Sequence, residues 1–293
     1  MVATTGRPVR PAVFAGIDTA MDITSTLTLN NGVEMPRFGL GVWQAKTGSE
    51  VRNAVRWALE AGYRHLDTAR IYGNERDVGA VLREGIVPRE DVFVTTKLWN
   101  GDQGYETTKQ AFAASLRDLG LDHVDLYLMH WPVEGKRLES WRAMEELLAT
   151  GEARAIGVSN FLEHHLDELL ETAAVVPAVN QVEFSPFLYQ RALLEYCRER
   201  GIQLEAYSPL TRGRRLDDPT VAAVAARHGT STAQVLIRWA LQHDLVVIPK
   251  SVTRGRVLAN ADVFGFELGA DDMAALDALD EGSHFAWDPS GAP

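Results

Sequence analysis

Four helix-like segments of this chain stop at a glycine and pass at once into an apolar, strand-forming stretch: EAGYRHL at Gly62, RDLGLDHV at Gly120, LATGEARAIGV at Gly151 and RERGIQLEA at Gly201. Glycine takes the left-handed backbone conformation without a Cβ penalty, so it ends a helix just past its last turn. Strands that are each reached through a helix run parallel to one another. Eight strands are expected, at 37–40, 65–67, 92–97, 124–129, 153–159, 179–183, 203–207 and 245–248. Eight strands interleaved with helices predict an α/β chain folded as a (β/α)₈ TIM barrel. An N-terminal β-hairpin precedes it, with LTL and VEM flanking the turn-forming Asn30, Asn31 and Gly32. Two extra helices are expected. Asp218 and Pro219 start one that runs to about His228, ahead of a helix that Ser231 and Gln234 open as a capping box, and the other lies near 271–279.

A length of 293 residues suits one such barrel. The expected division is a single domain over 25–293 behind an N-terminal extension, 1–24, without fixed structure. In that extension Asp18 and Asp22 interrupt what would otherwise resemble a signal-peptide core. A net charge of -11 argues against nucleic acid or an anionic membrane as partner, so any anion site must be a local basic pocket. No apolar run approaches a membrane span. Cys197 is the only cysteine, which excludes an intrachain disulfide and a thiolate metal cluster and points to a reducing cytoplasm. The chain is expected to be a monomer acting on a small molecule.

All strands of such a barrel open their C-terminal ends on one face. Asp67 ends the strand YRHLD, Lys97 ends VFVTTK, His130 ends VDLYLMH, and Tyr72 follows Asp67 by one turn of loop. A carboxylate, an ammonium, an imidazole and a phenol thus converge. The ammonium would favour the phenolate and lower the phenol's pKa from its usual ~10, while Asp67 holds Lys97 charged. A neutral His130 would donate to a substrate oxygen and orient it toward the phenol. The chemistry implied is carbonyl reduction. Singly, each residue has a plainer reading: a cap for Asp67, a solvated gatekeeper for Lys97, packing for His130 and Tyr72. The joint placement favours the catalytic one.

From about Ser25 to the C-terminus the chain also resembles the aldo-keto reductases. GYRHLDTARIYGNERDVG (62–79) looks like that family's first signature, with Asp67 and Tyr72 at its catalytic positions. IPKSVTRGRVLAN (248–260) looks like its cofactor signature, and TKLWN, LMHWP, GVSNF, NQVEFSP and AYSPL fall between them in order. The short stretch after His130 and Trp131 is similar to the bacterial 2,5-diketo-gluconate reductases.

Carbonyl reduction needs a hydride that no side chain supplies, so a nicotinamide cofactor is implied. Gly39 to Gly41 lack the rest of a Rossmann fingerprint. Barrels commonly hold phosphate on the loops after the seventh and eighth strands, which is where Lys250, Ser251, Thr253 and Arg256 fall. The resemblance implies more. Lys250, Ser251, Val252, Thr253, Arg256 and Asn260 would hold the adenosine 2'-phosphate and adenine, favouring NADPH. Ser159, Asn160 and Gln181 would bind the nicotinamide amide, Tyr207 would stack on the ring, and Ser208 and Leu210 would lie at the pyrophosphate. Ala259 departs from the glutamate many relatives carry there. Without the resemblance, a solvated helix start explains Lys250 and Arg256, and core packing explains Tyr207.

Trp43, Trp99, Trp131 and Trp287 fall at strand ends or in the tail, and with Phe285 they are the expected aromatic walls of a substrate pocket. A tail that merely plugs the barrel is the alternative for Phe285 and Trp287. Tyr105 and Lys109 form a YxxxK pair but lack the glycine-rich turn of a short-chain dehydrogenase, so a solvated helix face is expected. A metal-dependent hydrolase would need ligands beside His130 that are missing, so no metal is expected. The remaining alternative is a non-catalytic NADPH-binding barrel, a redox sensor or subunit, for which a tuned proton donor has no use.

Overall fold

A computed structural model of the chain describes residues 21–292. The expected extension lies outside the described residues as far as residue 20. Met21 and Ile23 already pack against the core.

The hairpin forms from β1 (Thr26–Thr28) and antiparallel β2 (Glu34–Pro36). Eight parallel strands follow: β3 (Leu40–Gly41), β4 (His65–Asp67), β5 (Phe93–Leu98), β6 (Leu126–Met129), β7 (Ile156–Ser159), β8 (Val179–Glu183), β9 (Gln203–Tyr207) and β10 (Val246–Val247). They pair in chain order, β3 to β10. Bridges from Phe38 to Val247 and from Gly41 to Lys250 close the sheet into a barrel.

The helices α1 (Ser49–Glu60), α2 (Glu75–Leu82), α3 (Tyr105–Leu119), α4 (Arg137–Thr150), α5 (Glu163–Thr172), α6 (Arg191–Glu199) and α8 (Thr232–Gln242) alternate with the strands. The predicted extra helices are α7 (Pro219–His228) and α10 (Ala270–Asp277), and α9 (Arg254–Ala261) follows β10. Asp218 caps α7 through the backbone amides of Thr220 and Val221, and Ser231 with Gln234 makes the capping box of α8. Glycines 62, 120, 151 and 201 all have positive φ, at 98°, 68°, 81° and 68°, as stop residues require.

Several strands are shorter than the apolar runs that announced them. Residues 37–39 pair with the last strand while 40–41 pair with β4, so the expected strand 37–40 is split between two partners. Val124 and Ala153 meet only in an isolated bridge, which trims β6 and β7 at their starts. The hairpin lies across the N-terminal end of the barrel: its Leu29 and Met35 are buried in one cluster with Phe93, Leu126, Leu128 and Val179. The opposite end is left open for chemistry. No helix among the described residues is long and apolar enough to cross a membrane.

Candidate active site

Asp67 ends β4, Lys97 is the penultimate residue of β5, His130 follows β6, and Tyr72 ends a short 3₁₀ turn, Arg70–Tyr72, just after Asp67. Lys97 is fully buried, and its Nζ donates to Asp67 Oδ1 at 2.6 Å, Asp67 Oδ2 at 2.8 Å and the Thr68 carbonyl at 3.0 Å. It also lies 3.5 Å from the Tyr72 hydroxyl. The Tyr72 and His130 rings meet edge to face at 5.8 Å. The four residues expected to converge therefore do so.

Their electrostatics differ from expectation in one respect. Burial, and then the charges of Asp67 and Glu205, push the Tyr72 phenol well above its ordinary 10. Lys97 was expected to lower it. The bidentate contact with Asp67 neutralises that ammonium locally, so desolvation of the phenolate dominates. Tyr72 is accordingly a protonated, weakly acidic phenol. His130 is held well below 6.5 by burial and by Lys97, so its ring is neutral and one of its two nitrogens carries a hydrogen.

Asp67, Tyr72 and His130 open into one cavity of ≈ 820 Å³. Every residue expected at the cofactor also lines it: Ser159, Asn160, Gln181, Tyr207, Ser208 and Leu210, and the run Lys250, Ser251, Val252, Thr253, Arg256 and Asn260. Asn160 sits in the left-handed region (φ 62°), held by bonds from its Nδ2 to the His130 carbonyl (3.0 Å) and from the Tyr207 hydroxyl to its Oδ1 (2.8 Å). Lys250 and Arg256 are exposed at the start of α9 with no ion-pair partner among the described residues. Two free cations, flanking hydroxyls and a helix N-terminus form a donor set suited to a phosphate group. Among the described residues no cluster of His, Cys, Asp or Glu could hold a metal ion.

The family model for the aldo/keto reductase family matches residues 37–281. This chain belongs to that family. It is 51% identical over 267 residues to the glyoxal reductase of Bacillus subtilis, which covers 91% of this chain and 97% of that protein. It is 48% identical to the morphine 6-dehydrogenase of Pseudomonas putida, across 90% of this chain and 94% of that one. A solved Bombyx mori aldo-keto reductase in complex with NADP superposes with a TM-score of 0.85 at 36% identity, covering 91% of this chain and 96% of that chain.

In this aldo-keto reductase the aromatic expectations divide. Trp43, Trp131 and Trp287 line the cavity, with Trp287 60% exposed and its ring 6.4 Å and 5.9 Å from the other two. Trp99 and Phe285 do not reach it. Trp99 packs edge-on behind His130 at 5.6 Å, and Phe285 turns inward against Phe187, because strand-end position alone does not fix which way a loop aromatic faces. Lys97 also stays behind the wall, in contact with Asp67 and Tyr72. Tyr105 and Lys109 lie on the outer face of α3, both bonded to Glu146, as the solvated reading has it. Cys197 is buried, and burial pushes its thiol up to about 12, so it is an inert packed group.

Three site residues escaped the sequence. Glu183, buried at the end of β8, accepts the backbone N–H groups of Phe285 (2.9 Å) and Ala286 (3.1 Å), pinning the tail that carries Trp287. Arg212 (φ 55°) joins three segments: its guanidinium lies 4.8 Å from the Trp43 ring and donates to Gln44 Oε1 and the Phe285 carbonyl, both at 3.2 Å. Glu205 is buried inside the barrel beneath Asp67. The signal for it was visible: an acid within the strand QLEAY, where an apolar residue is the ordinary inward choice.

Proposed function

We propose that this enzyme reduces aldehydes and ketones to alcohols with NADPH, Tyr72 being the general acid. One observation carries the reading: a phenol, kept protonated, shares a cavity with a neutral imidazole and with a donor set for a phosphorylated dinucleotide. NADPH, when bound, supplies the hydride. His130 orients the carbonyl oxygen by donating to it, and Tyr72 delivers its proton to that oxygen as negative charge develops there. Lys97, held by Asp67 and 3.5 Å from the Tyr72 hydroxyl, is placed to return a proton to it after each turnover.

Gln181, Ser159 and Asn160 are the groups for the nicotinamide amide, with Tyr207 against the ring. Ser208 and Leu210 would face the pyrophosphate. Lys250, Ser251, Thr253 and Arg256 would hold the 2'-phosphate, beside Val252 and Asn260 at the adenine. Trp43, Trp131 and Trp287 form the substrate wall, with Trp99 and Phe285 supporting it from behind.

The segment joining β6 to α4 is short, which supports kinship with the 2,5-diketo-gluconate reductases. Relatives named for glyoxal and for morphine make small dicarbonyls and fused-ring ketones the two classes to try first. We place the activity in a monomer, in the cytoplasm, with residues 25–293 as one catalytic unit. Turnover of a carbonyl panel followed at the NADPH absorbance tests the reading. Tight NADPH binding without turnover of any carbonyl would favour a sensor or subunit instead.

A further inference from the structure

Glu205 lies opposite Gln181 in the β8–β9 register, fully buried inside the barrel. The Gln181 Nε2 donates to Asp67 Oδ2 at 2.8 Å and to Glu205 Oε2 at 2.9 Å, so both of its hydrogens are committed to carboxyl groups. That fixes which way the amide is turned and leaves Gln181 Oε1 as the atom available to the cavity it lines. The other Glu205 oxygen, Oε1, has no hydrogen-bond partner among the described residues. His65 Nε2 lies 3.7 Å from it and is itself bonded to Thr95 Oγ1 at 3.0 Å.

A buried acid with an unsatisfied oxygen destabilises a fold, and an apolar residue of similar size would avoid the cost. The ionisable groups around it are His65 and Asp67 from β4, Lys97 from β5 and, beyond Asp67, Tyr72. β8 presents the neutral Gln181, and β10 presents Val246 in register with it.

Resting on the reductase reading, we propose that Glu205 is a positioning residue for carbonyl reduction: through the Gln181 amide it fixes Asp67 against Lys97, orients Gln181 toward the cofactor amide, and sets the charge behind Tyr72. Burial and the neighbouring Asp67 push its carboxyl up to about 8, whereas burial and Lys97 hold His65 down at about 3. Near neutrality Glu205 is therefore protonated and His65 neutral, beside the hydrogen-bonded pair of Asp67 and Lys97. As the pH rises through about 8, Glu205 releases its proton and a carboxylate appears there, which makes Tyr72 a still weaker acid.

Two variants separate the roles. Glu205→Gln keeps an acceptor for Gln181 but cannot ionise. Glu205→Leu removes the acceptor as well. Interacting buried groups couple by more than about 1 pK unit, and partial proton transfer in the transition state turns this into a roughly 3-fold to 10-fold fall in wild-type kcat across pH 8. That inflection should disappear in Glu205→Gln. Glu205→Leu should weaken NADPH roughly 3-fold to 10-fold by fluorescence titration, the equivalent of one hydrogen bond, and more than Glu205→Gln does.

An inflection near pH 8 shared by wild type and Glu205→Gln, or missing from wild type, overturns the charge role. Wild-type NADPH affinity in Glu205→Leu overturns the orienting role. Should either variant fail to fold, infrared titration of the wild type decides: a protonated-carboxyl band that vanishes near pH 8 supports the assignment, and its absence refutes it. A wild type that turns over no carbonyl sinks the reductase reading instead, an outcome distinct from all of these.

Discussion

Phe93 and Lys97 project into the same barrel from the same strand, and alternation places Thr95 between them. Phe93 belongs to an apolar layer with Leu126, Leu128, Ala155, Val179 and Val246, sealed by Leu29 and Met35 of the hairpin. Lys97 belongs to a layer of buried polar groups with Asp67, Gln181 and Glu205. Both layers are closely packed, yet only the first is what stability alone would select. Buried charges lose hydration that their pairing scarcely restores, so the upper layer fits the reaction proposed above better than it fits stability. The lower layer should answer to stability assays and the upper one to kinetics.

Tyr72→Phe gives the largest separation. Turnover should fall by about 10²–10⁴, the usual contribution of general acid catalysis, with NADPH affinity and melting temperature nearly unchanged. Near-normal turnover would remove Tyr72 from the mechanism. Met35→Ala is the converse. Truncating this fully buried plug should cost about 2–5 kcal/mol in denaturant unfolding, while kcat per folded molecule stays at the wild-type value. A kinetic defect there would show that the two ends are not independent.

Arg256→Ala probes the rim beyond both layers. Charge-assisted hydrogen bonds contribute about 1.5–3 kcal/mol, so NADPH should bind about 10-fold to 100-fold more weakly while NADH changes little. Equal losses for the two cofactors would mean that Arg256 supports its loop and reads no phosphate. The smallest effect is an expected flatness. With His130 and His65 both neutral well above their lowered pKa values, kcat should pass through pH 6.5 without an inflection. A histidine titration there would place a charged imidazole in the site.

Legibility followed the range of the interaction. The glycine stops at 62, 120, 151 and 201 and the caps at Asp218 and Ser231 act within a turn of chain, so the helix ends and the barrel order were readable from local sequence. Asp67, Lys97 and His130 were readable too, because a parallel barrel sends every strand end to one face. Trp99 and Phe285 were misjudged because the direction of a loop aromatic depends on its neighbours, His130 and Phe187.

The sequence by itself determined the alternation, the barrel and the residues that gather at its mouth, since these follow from periodicity and backbone conformation. Only the tertiary structure decided what those residues are chemically. The high pKa of Tyr72, the neutrality of His130, and the ties of Glu183 to the tail and of Glu205 to Gln181 depend on desolvation and on contacts between distant segments. Burial and through-space charge have no representation in the order of residues, and they alone set how firmly the phenol holds its proton.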